Sequence, residues 1–464
     1  MRILFLILAI IIPSFLFAQY GGFGVSDARS MGMGNTGNAY HHEILPISKN
    51  PAVMALSPDT SFFRIVIPNF STRAAITAMP LEDFNYFFGG DDDGNRRVLD
   101  NEDKQRFLGL FDDTGEVLFS GRLNALAVSF QPDPEIGAFG FSIHDYGGAR
   151  LAIDQELADV LLFGNQRNRT YDFDETALQF QYTRSYQFRY SRYIYHDSDM
   201  MLKSLYGGIA LKYYQGFAYT DLQTSAGSIS TNEYNQISGS FSGTRNSAFA
   251  DALNGLNIFS DLSDNEDGGI AFPESVGSGI GFDIGFVAEI EDLDVSIGVT
   301  DIGSMTWDTN AEVEEFSLDP TIDGLYKNDK IDTLLDDGLT NEIVGNSFES
   351  PLATTLRIGF HLPVDIDDWG DLDLALDYNQ GFDDTAVNST MPRISAGAHW
   401  QPGEWIPSLL TGLSNDRTGS IRWALGIGYE TPVLDFYIAT NDLLNSISPD
   451  DYASVAFTFA FKVF

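Results

Sequence analysis

The sequence predicts an all-β protein, a transmembrane antiparallel β-barrel of about 14 strands with an N-terminal plug segment and helical loop inserts. Three observations predict it. The final twelve residues alternate strictly: Ala453, Val455, Phe457, Phe459, Phe461 and Val463 fall on one side of a strand, and Ser454, Ala456, Thr458, Ala460 and Lys462 on the other. The same alternation recurs through the C-terminal half, with charge confined to one side. The chain also opens on an export signal.

That signal occupies residues 1–18. Arg2 is its charged start, Ile3 to Ile12 an unbroken apolar run, and Pro13 the break, with cleavage expected between Ala18 and Gln19. The apolar run is about half the roughly 20 residues a spanning helix needs. Phe457, Phe459, Phe461 and the terminal Phe464 give the last strand an apolar aromatic face. This resembles the closing strand that directs an outer-membrane barrel to its assembly machinery.

Composition narrows the function. The 464 residues contain 36 Phe, 20 Tyr and 44 Gly but no Cys, so disulfide scaffolds, thiolate metal sites and cysteine nucleophiles are excluded. A net charge of −40 speaks against nucleic acid as a partner. Mean hydropathy is near zero, as a barrel that turns only alternate strand residues to lipid would have.

Along the chain, Arg122–Phe130 and Ala138–Tyr146 read as a hairpin. Phe173–Ile194 and Ser204–Tyr219 read as two long strands joined by a polar turn near His196–Asp199. Both exceed the 9–11 residues that cross a bilayer and should project beyond it. Ile280, Phe282, Ile284 and Phe286 alternate with Gly281, Asp283, Gly285 and Val287, and a tight turn at Asp292 leads to Val295, Ile297 and Val299. Further on, Leu356, Ile358 and Phe360 alternate with Arg357, Gly359 and His361; Leu372, Leu374, Leu376 and Tyr378 with Asp373, Ala375 and Asp377; Ile394, Ala396, Ala398 and Trp400 with Arg393, Ser395, Gly397 and His399; Ile421, Trp423, Leu425, Ile427 and Tyr429 with Arg422, Ala424, Gly426, Gly428 and Glu430. A face holding such charges does not fit a dry sandwich core, because an unpaired buried charge costs several kcal/mol. Its recurring Gly and Ala suit a crowded lumen. Tyr378, Trp400, Trp423 and Tyr429 lie where interface girdles are expected.

Three acidic inserts interrupt the meander, near 81–116, 242–275 and 303–350. Loops of this length need internal structure, and short helices are expected, including a stretch from Ala248 to Phe259. By the usual asymmetry of such barrels they lie outside the cell or cap the lumen.

Directly after the signal come Ser26-Asp-Ala-Arg-Ser-Met-Gly-Met-Gly34 and then Lys49-Asn-Pro-Ala-Val-Met-Ala55. Together these resemble the opening of the FadL-like outer-membrane proteins. Lys212-Tyr-Tyr-Gln-Gly216 and Gly277-Ser-Gly-Ile-Gly-Phe-Asp-Ile-Gly285 are similar to segments of uncharacterised FadL-like barrels of the Bacteroidetes group, the branch that includes PorV-like proteins. The resemblance implies a hatch, residues 19–57, plugging a 14-stranded barrel at 58–464 in the outer membrane of a Gram-negative bacterium. It also implies passive uptake of hydrophobic small molecules, fatty acids among them, through a lateral wall opening. Asn50, Pro51, Ala52, Met31 and Met33 would then belong to the hatch and its gating. Some relatives are accessory barrels of a secretion system, so a non-transporting scaffold with a protein partner is the alternative. Tyr40-His-His-Glu-Ile44 departs from the family's usual small residues between the two motifs.

One loop carries a metal-binding pattern. Asp91, Asp93, Asn95, the Arg97 carbonyl and Glu102 stand at positions 1, 3, 5, 7 and 12 of a calcium loop, with Arg96 where the turn favours Gly. Calcium is therefore a candidate cofactor, and a solvated acidic loop the alternative. No nucleophile elbow, His-Glu-x-x-His or phosphate loop is present, so no catalytic residue is assigned and an enzyme is not expected.

Overall fold

The computed structural model describes residues 27–39, 49–56, 63–76, 81–88, 97–111, 114–174, 176–234, 236–256, 273–318, 321–323, 339–403, 406–415, 421–431, 434–443 and 452–463. Fourteen strands close on themselves. They are β1 (Phe63–Ile76), β2 (Thr114–Asp133), β3 (Gly137–Asp154), β4 (Ala177–His196), β5 (Leu202–Thr231), β6 (Gly277–Ile290) and β7 (Leu293–Trp307), followed by β8 (Thr355–Asp365), β9 (Asp371–Gly381), β10 (Arg393–Gln401), β11 (Ser408–Asn415), β12 (Ile421–Glu430), β13 (Leu434–Thr440) and β14 (Tyr452–Val463). Each pairs antiparallel with the next, and β14 returns to β1, Phe63 opposite Val463. Closure removes the sheet edges, which is what allows strands to cross a bilayer. Among the described residues no helix is long and apolar enough to do so.

The alternation read from the sequence sets the two faces. Ile280, Leu374, Trp423, Ile427 and Ile438 are exposed on the outer face, while Asp283, Asp377, His399 and Arg393 are buried inside. Two rows of outer side chains run across neighbouring strands. Phe63, Phe130, Phe139 and Tyr190 stand opposite one another in sequence around the wall, and Val128, Phe141, Phe188 and Leu211 form the second row. Rings meet along them, Phe130 stacked on Phe139 at 5.3 Å and Phe141 tilted against Phe188 at 4.9 Å. These aromatics, on strands nearer the N-terminus than the expected girdle residues, line the end of the wall where the turns are short. Phe457 also faces outward and meets Phe436 edge-on at 5.1 Å. Phe459 and Phe461 lie in the same strand, opposite Phe436 and Leu434, and Phe464 lies outside the described residues.

Above the opposite rim, β5 leaves one neighbour for another. Leu202–Gly216 pairs with β6, and Ala218–Thr231 pairs with Gln236–Phe249. Ala311–Leu318 adds to that strand, and Leu339–Gly345 adds to Ala311–Leu318. The described parts of the second and third inserts are thus mostly strands where helices were expected. Ala248 and Phe249 end a strand, and only Asp251–Leu256 turns, as a 3-10 helix. β-branched residues, Phe and Ser-Gly alternation drive this choice more than the scattered Ala does. The first insert is helical, with α2 (Leu81–Phe88) and α3 (Asn101–Leu108) packed through Phe87 and Phe107 at 5.0 Å. A further helix, α4 (Gln155–Phe163), braces them: Gln155 donates to the Leu108 and Phe111 carbonyls, and Lys104 to that of Leu162.

Candidate functional site

The lumen is plugged from the short-turn side by the described parts of the N-terminal segment. A five-residue helix, α1 (Ala28–Gly32), is capped by Asp27, whose carboxylate accepts from the Ser30 N–H at 2.9 Å. Met31 and Met33 are buried against Val66, Ala127, Leu410 and Tyr437 of the wall. Met33 reaches so close to β10 and β11 that a Cβ at Gly397 or Gly412 would overlap its backbone, 2.4 and 2.2 Å away. Two further contacts seat the turn after the helix. Asp377 accepts from the Gly37 and Asn38 N–H groups at 2.7 and 3.0 Å, and Asn38 donates to the Ile358 carbonyl.

The Asn50-Pro-Ala box is the second anchor. Pro51 starts a 3-10 helix, Pro51–Leu56, and Asn50 Oδ1 accepts from the Ala52 N–H at 2.9 Å. The Asn50 amide donates to two wall carbonyls on adjacent strands, Phe286 at 3.1 Å and Ile297 at 3.2 Å. It reaches them because Gly285 and Gly298 present no side chain there. Ala52 lies against Gly208, and Met54 against Gly140. Lys49 ties the two parts together, its ammonium donating to the Asn35 and Thr36 carbonyls at 2.8 and 2.6 Å. Burial inside the barrel pulls this ammonium down to about 7, against the opposing pull of Asp377 and Asp27.

Charged side chains fill the lumen around these anchors. Lys212 bridges Asp283 at 2.8 Å and Asp301 at 2.6 Å, and Tyr214 donates to Asp301. Asp301 has a φ of 60°, at a register shift between β6 and β7, and its N–H is held by Asp283 at 2.7 Å. At the short-turn end His361 spans Asp294 and Asp373, and His399 lies between Asp373 and Arg29 of the hatch.

From the other side a loop that reads in sequence as an ordinary polar turn folds inward. Ala386, Val387, Asn388 and Ser389 are buried. Tyr146 donates to the Val387 carbonyl at 3.3 Å, Asn388 donates to that of Thr354 at 3.1 Å, and a Cβ at Gly148 would overlap the Ala386 carbonyl. The lumen is therefore occupied from both ends. Nothing in the Asp383-Asp-Thr run signals this, except that Gly148 and Gly381 face it from the wall.

The wall itself is irregular beside the hatch. Between Val66 and Asn69 the β1–β14 register shifts, and Ile67 and Pro68 have no partners in β2 either. Proline lacks the N–H a ladder needs. α1 docks next to this point: the Ala28 N–H donates to Thr458 Oγ1 at 2.9 Å, and that hydroxyl to Asn69 Oδ1 at 3.2 Å. On the outer face, between the two aromatic rows, lies an apolar groove of about 560 Å³ lined by Phe63, Phe130, Phe141, Phe188, Leu211 and Phe282. The backbone of Gly140 forms part of its floor, and Met54 of the hatch lies on the other side of that glycine.

The calcium-loop residues are only partly described. Asp91, Asp93 and Asn95 lie outside the described residues. The Arg97 guanidinium stacks over the Tyr86 ring at 4.1 Å. Glu102 is exposed in the first turn of α3, its N–H bonded to the Asp100 cap at 2.8 Å. Among the described residues no group of three or more His, Asp or Glu is placed to hold a metal.

Residues 51–441 match the model of DUF5723, a family of unknown function. No curated protein matches the chain. Among solved structures it is similar to the toluene transporter TbuX of Ralstonia pickettii, at 12% identity and a TM-score of 0.45, covering 97% of this chain and 100% of that one. It is also similar to the toluene transporter TodX of Pseudomonas putida, at 9% identity and a TM-score of 0.42, covering 97% and 100%. A FadL homologue of Pseudomonas aeruginosa matches at 11% identity and a TM-score of 0.25, covering 96% and 98%.

Proposed function

The chain belongs to DUF5723, a family of unknown function, and we propose that this member sits in an outer membrane and takes up hydrophobic small molecules passively. The observation that carries the reading is the thin wall at Gly140. A lipid-facing apolar groove and a hatch methionine meet across one residue that has no side chain. A molecule leaving the lumen here would pass from Met54 to Phe141 and Phe188 without crossing the membrane's polar boundary. Met suits such a surface, since its flexible thioether adapts to varied apolar shapes. The unpaired Ile67–Pro68 stretch supplies the neighbouring place where the wall can part at least cost in hydrogen bonds. Fatty acids are one ligand class within this reading, and aromatic hydrocarbons another.

Cells expressing the protein should accumulate labelled toluene or a labelled long-chain fatty acid faster than cells lacking it. Equal accumulation across both probes would contradict the proposal.

The second reading, a scaffold for a protein partner, has one specific observation in its favour. Leu339–Gly345 pairs on one side only among the described strands, and Ile343 and Val344 are exposed on it beyond the rim. An unpaired strand edge is a template for strand addition. Deleting residues 339–345 should then release a co-purifying protein while leaving accumulation unchanged.

A further inference from the structure

The loop that enters the lumen from the outer side, residues 382–392 between β9 and β10, holds its own shape. Its tip is a tight turn: the Thr385 N–H donates to the Asn388 carbonyl at 3.0 Å, and the Val387 N–H to Thr385 Oγ1 at 3.2 Å. Its stem is closed in the same way. The Gly381 N–H donates to the Ser389 carbonyl at 3.1 Å, and the Thr390 hydroxyl to Asp384 at 2.6 Å. β3 and β9 stand six strands apart in the ring of fourteen, so a tip that starts from β9 and touches β3 has crossed the lumen.

Its two attachments differ. On the near side the Thr354 carbonyl accepts from the Asn388 amide at 3.1 Å and from the Phe382 N–H at 3.0 Å. On the far side Tyr146 donates to the Val387 carbonyl at 3.3 Å, and the rest of the hold is shape. A Cβ at Gly148 would overlap the Ala386 carbonyl and crowd Val387, and the three atoms nearest to it all belong to the loop. Glycine inside a strand often marks a place where another backbone approaches closely. Ala386 and Val387, which meet the far wall, are small, so the tip gives up little apolar burial on leaving. The larger apolar residues of the loop stay out of the lumen, Phe382 at 57% and Met391 at 37% exposure. A fixed plug would bury them.

We propose that residues 382–392 form an outer gate, a strap that swings about Gly381 and the start of β10 to open the lumen from outside, in series with the hatch. Its part in uptake rests on the transport reading, and its movement does not. Closed, it is latched by Tyr146 and seated on Gly148. Open, it keeps its tip turn and its near-side bonds to Thr354 loosen with the stem.

The test reads the open fraction with a thiol below the gate. Ser185 is buried on the lumenal face of β4, opposite His144 and so two residues on the hatch side of Tyr146. In a chain without cysteine, Ser185→Cys is the sole thiol, and its labelling by a sulfonated maleimide is timed on the full chain in neutral detergent. Tyr146→Phe removes the latch and should speed labelling about fivefold, the open population that one hydrogen bond holds back. Gly148→Val unseats the tip while suiting the strand, and deleting residues 384–390 removes it; each should speed labelling about tenfold or more. Heat-modifiable migration verifies that each variant is folded, and unchanged cleavage between residues 27 and 56 that the hatch is still seated. Tyr234→Cys, on an exposed hairpin tip, should label at one rate in every background. Equal Ser185→Cys labelling in all four chains would overturn the gate. Labelling raised by the deletion alone would make the loop a fixed plug and overturn it as well. The two readings fail separately. Faster labelling with no uptake of toluene or fatty acid by parent or variants keeps the gate and removes the transporter, whereas uptake with labelling indifferent to the loop keeps the transporter and removes the gate.

Discussion

Asn50 fits against Gly285 so closely that a Cβ on the glycine would stand 2.0 Å from Asn50 Oδ1. The wall glycine and the hatch asparagine are a matched pair, one supplying the gap and the other the two hydrogen bonds that fill it.

Gly285→Val should therefore dislodge the hatch while the wall strand, which favours β-branched residues, still forms. Asn50→Ala should act in the same direction but more weakly, losing about 1–3 kcal/mol of anchoring. Limited proteolysis of the folded barrel reads both: cleavage between residues 27 and 56 should accelerate in each variant, more in Gly285→Val. Protection equal to the parent's would mean the pair does not hold the hatch.

The two faces of the wall should differ in what they tolerate. Leu374 is exposed on the outer face, and Leu374→Arg should cost roughly 2–4 kcal/mol near the midplane, seen as lost heat-modifiable migration. Leu374→Phe should be silent. Its neighbour Asp373 is not a permissive lumen position either, since His361 and His399 both bond to it. Asp373→Arg should therefore also disrupt folding, through the loss of that network. Full tolerance of arginine at 374 would mean the faces are reversed.

Lys49 gives the docked hatch a pH dependence with a definite sign. Its value is pulled from 10.5 to about 7, so between those limits the released hatch binds more protons than the docked one. Docking should therefore strengthen as pH rises through that window and be weakest below neutrality. Lys49→Met should flatten the profile. Hatch proteolysis measured from pH 6 to pH 9 checks it, and a parent profile that runs the other way would refute the assignment.

Calcium in the first insert remains a proposal drawn from the pattern Asp91, Asp93, Asn95, Arg97 and Glu102. Millimolar calcium should slow cleavage of residues 81–116, and Glu102→Ala should abolish the effect. Glu102 is free to turn, being exposed in the first turn of α3. No change on adding calcium would leave a solvated acidic loop.

Much of this architecture is legible because a barrel writes its two faces into alternate residues. Asp283, Asp377, Arg393 and His399 point inward and Ile280, Leu374 and Ile427 outward, as their alternation predicts. Met31, Met33, Asn50 and Ala52 of the two N-terminal motifs are buried against the inner face of the wall. What stays hidden depends on partners far apart in sequence. The switch of β5 from β6 to Gln236–Phe249 occurs near Gly216, and nothing local announces it. The inward loop at Ala386–Ser389 is polar like any surface turn, and its burial is set by Gly148, more than two hundred residues away.

The most direct test of the central claim, that the hatch gates passage through this barrel, is a reversible lock. The chain has no cysteine, so an Asn50→Cys, Gly285→Cys pair introduces the sole thiols. The glycine's Cβ position lies 2.7 Å from Asn50 Cγ, and Asn50 Cβ is one bond further back, which brings the two Cβ atoms within reach of the about 3.5–4.5 Å that a disulfide needs. Uptake of a labelled hydrophobic probe would be measured in cells before and after reduction. Low uptake in the oxidised form, restored by reductant, is the expected result. Oxidised barrels that take up the probe as fast as reduced ones would contradict a gating hatch.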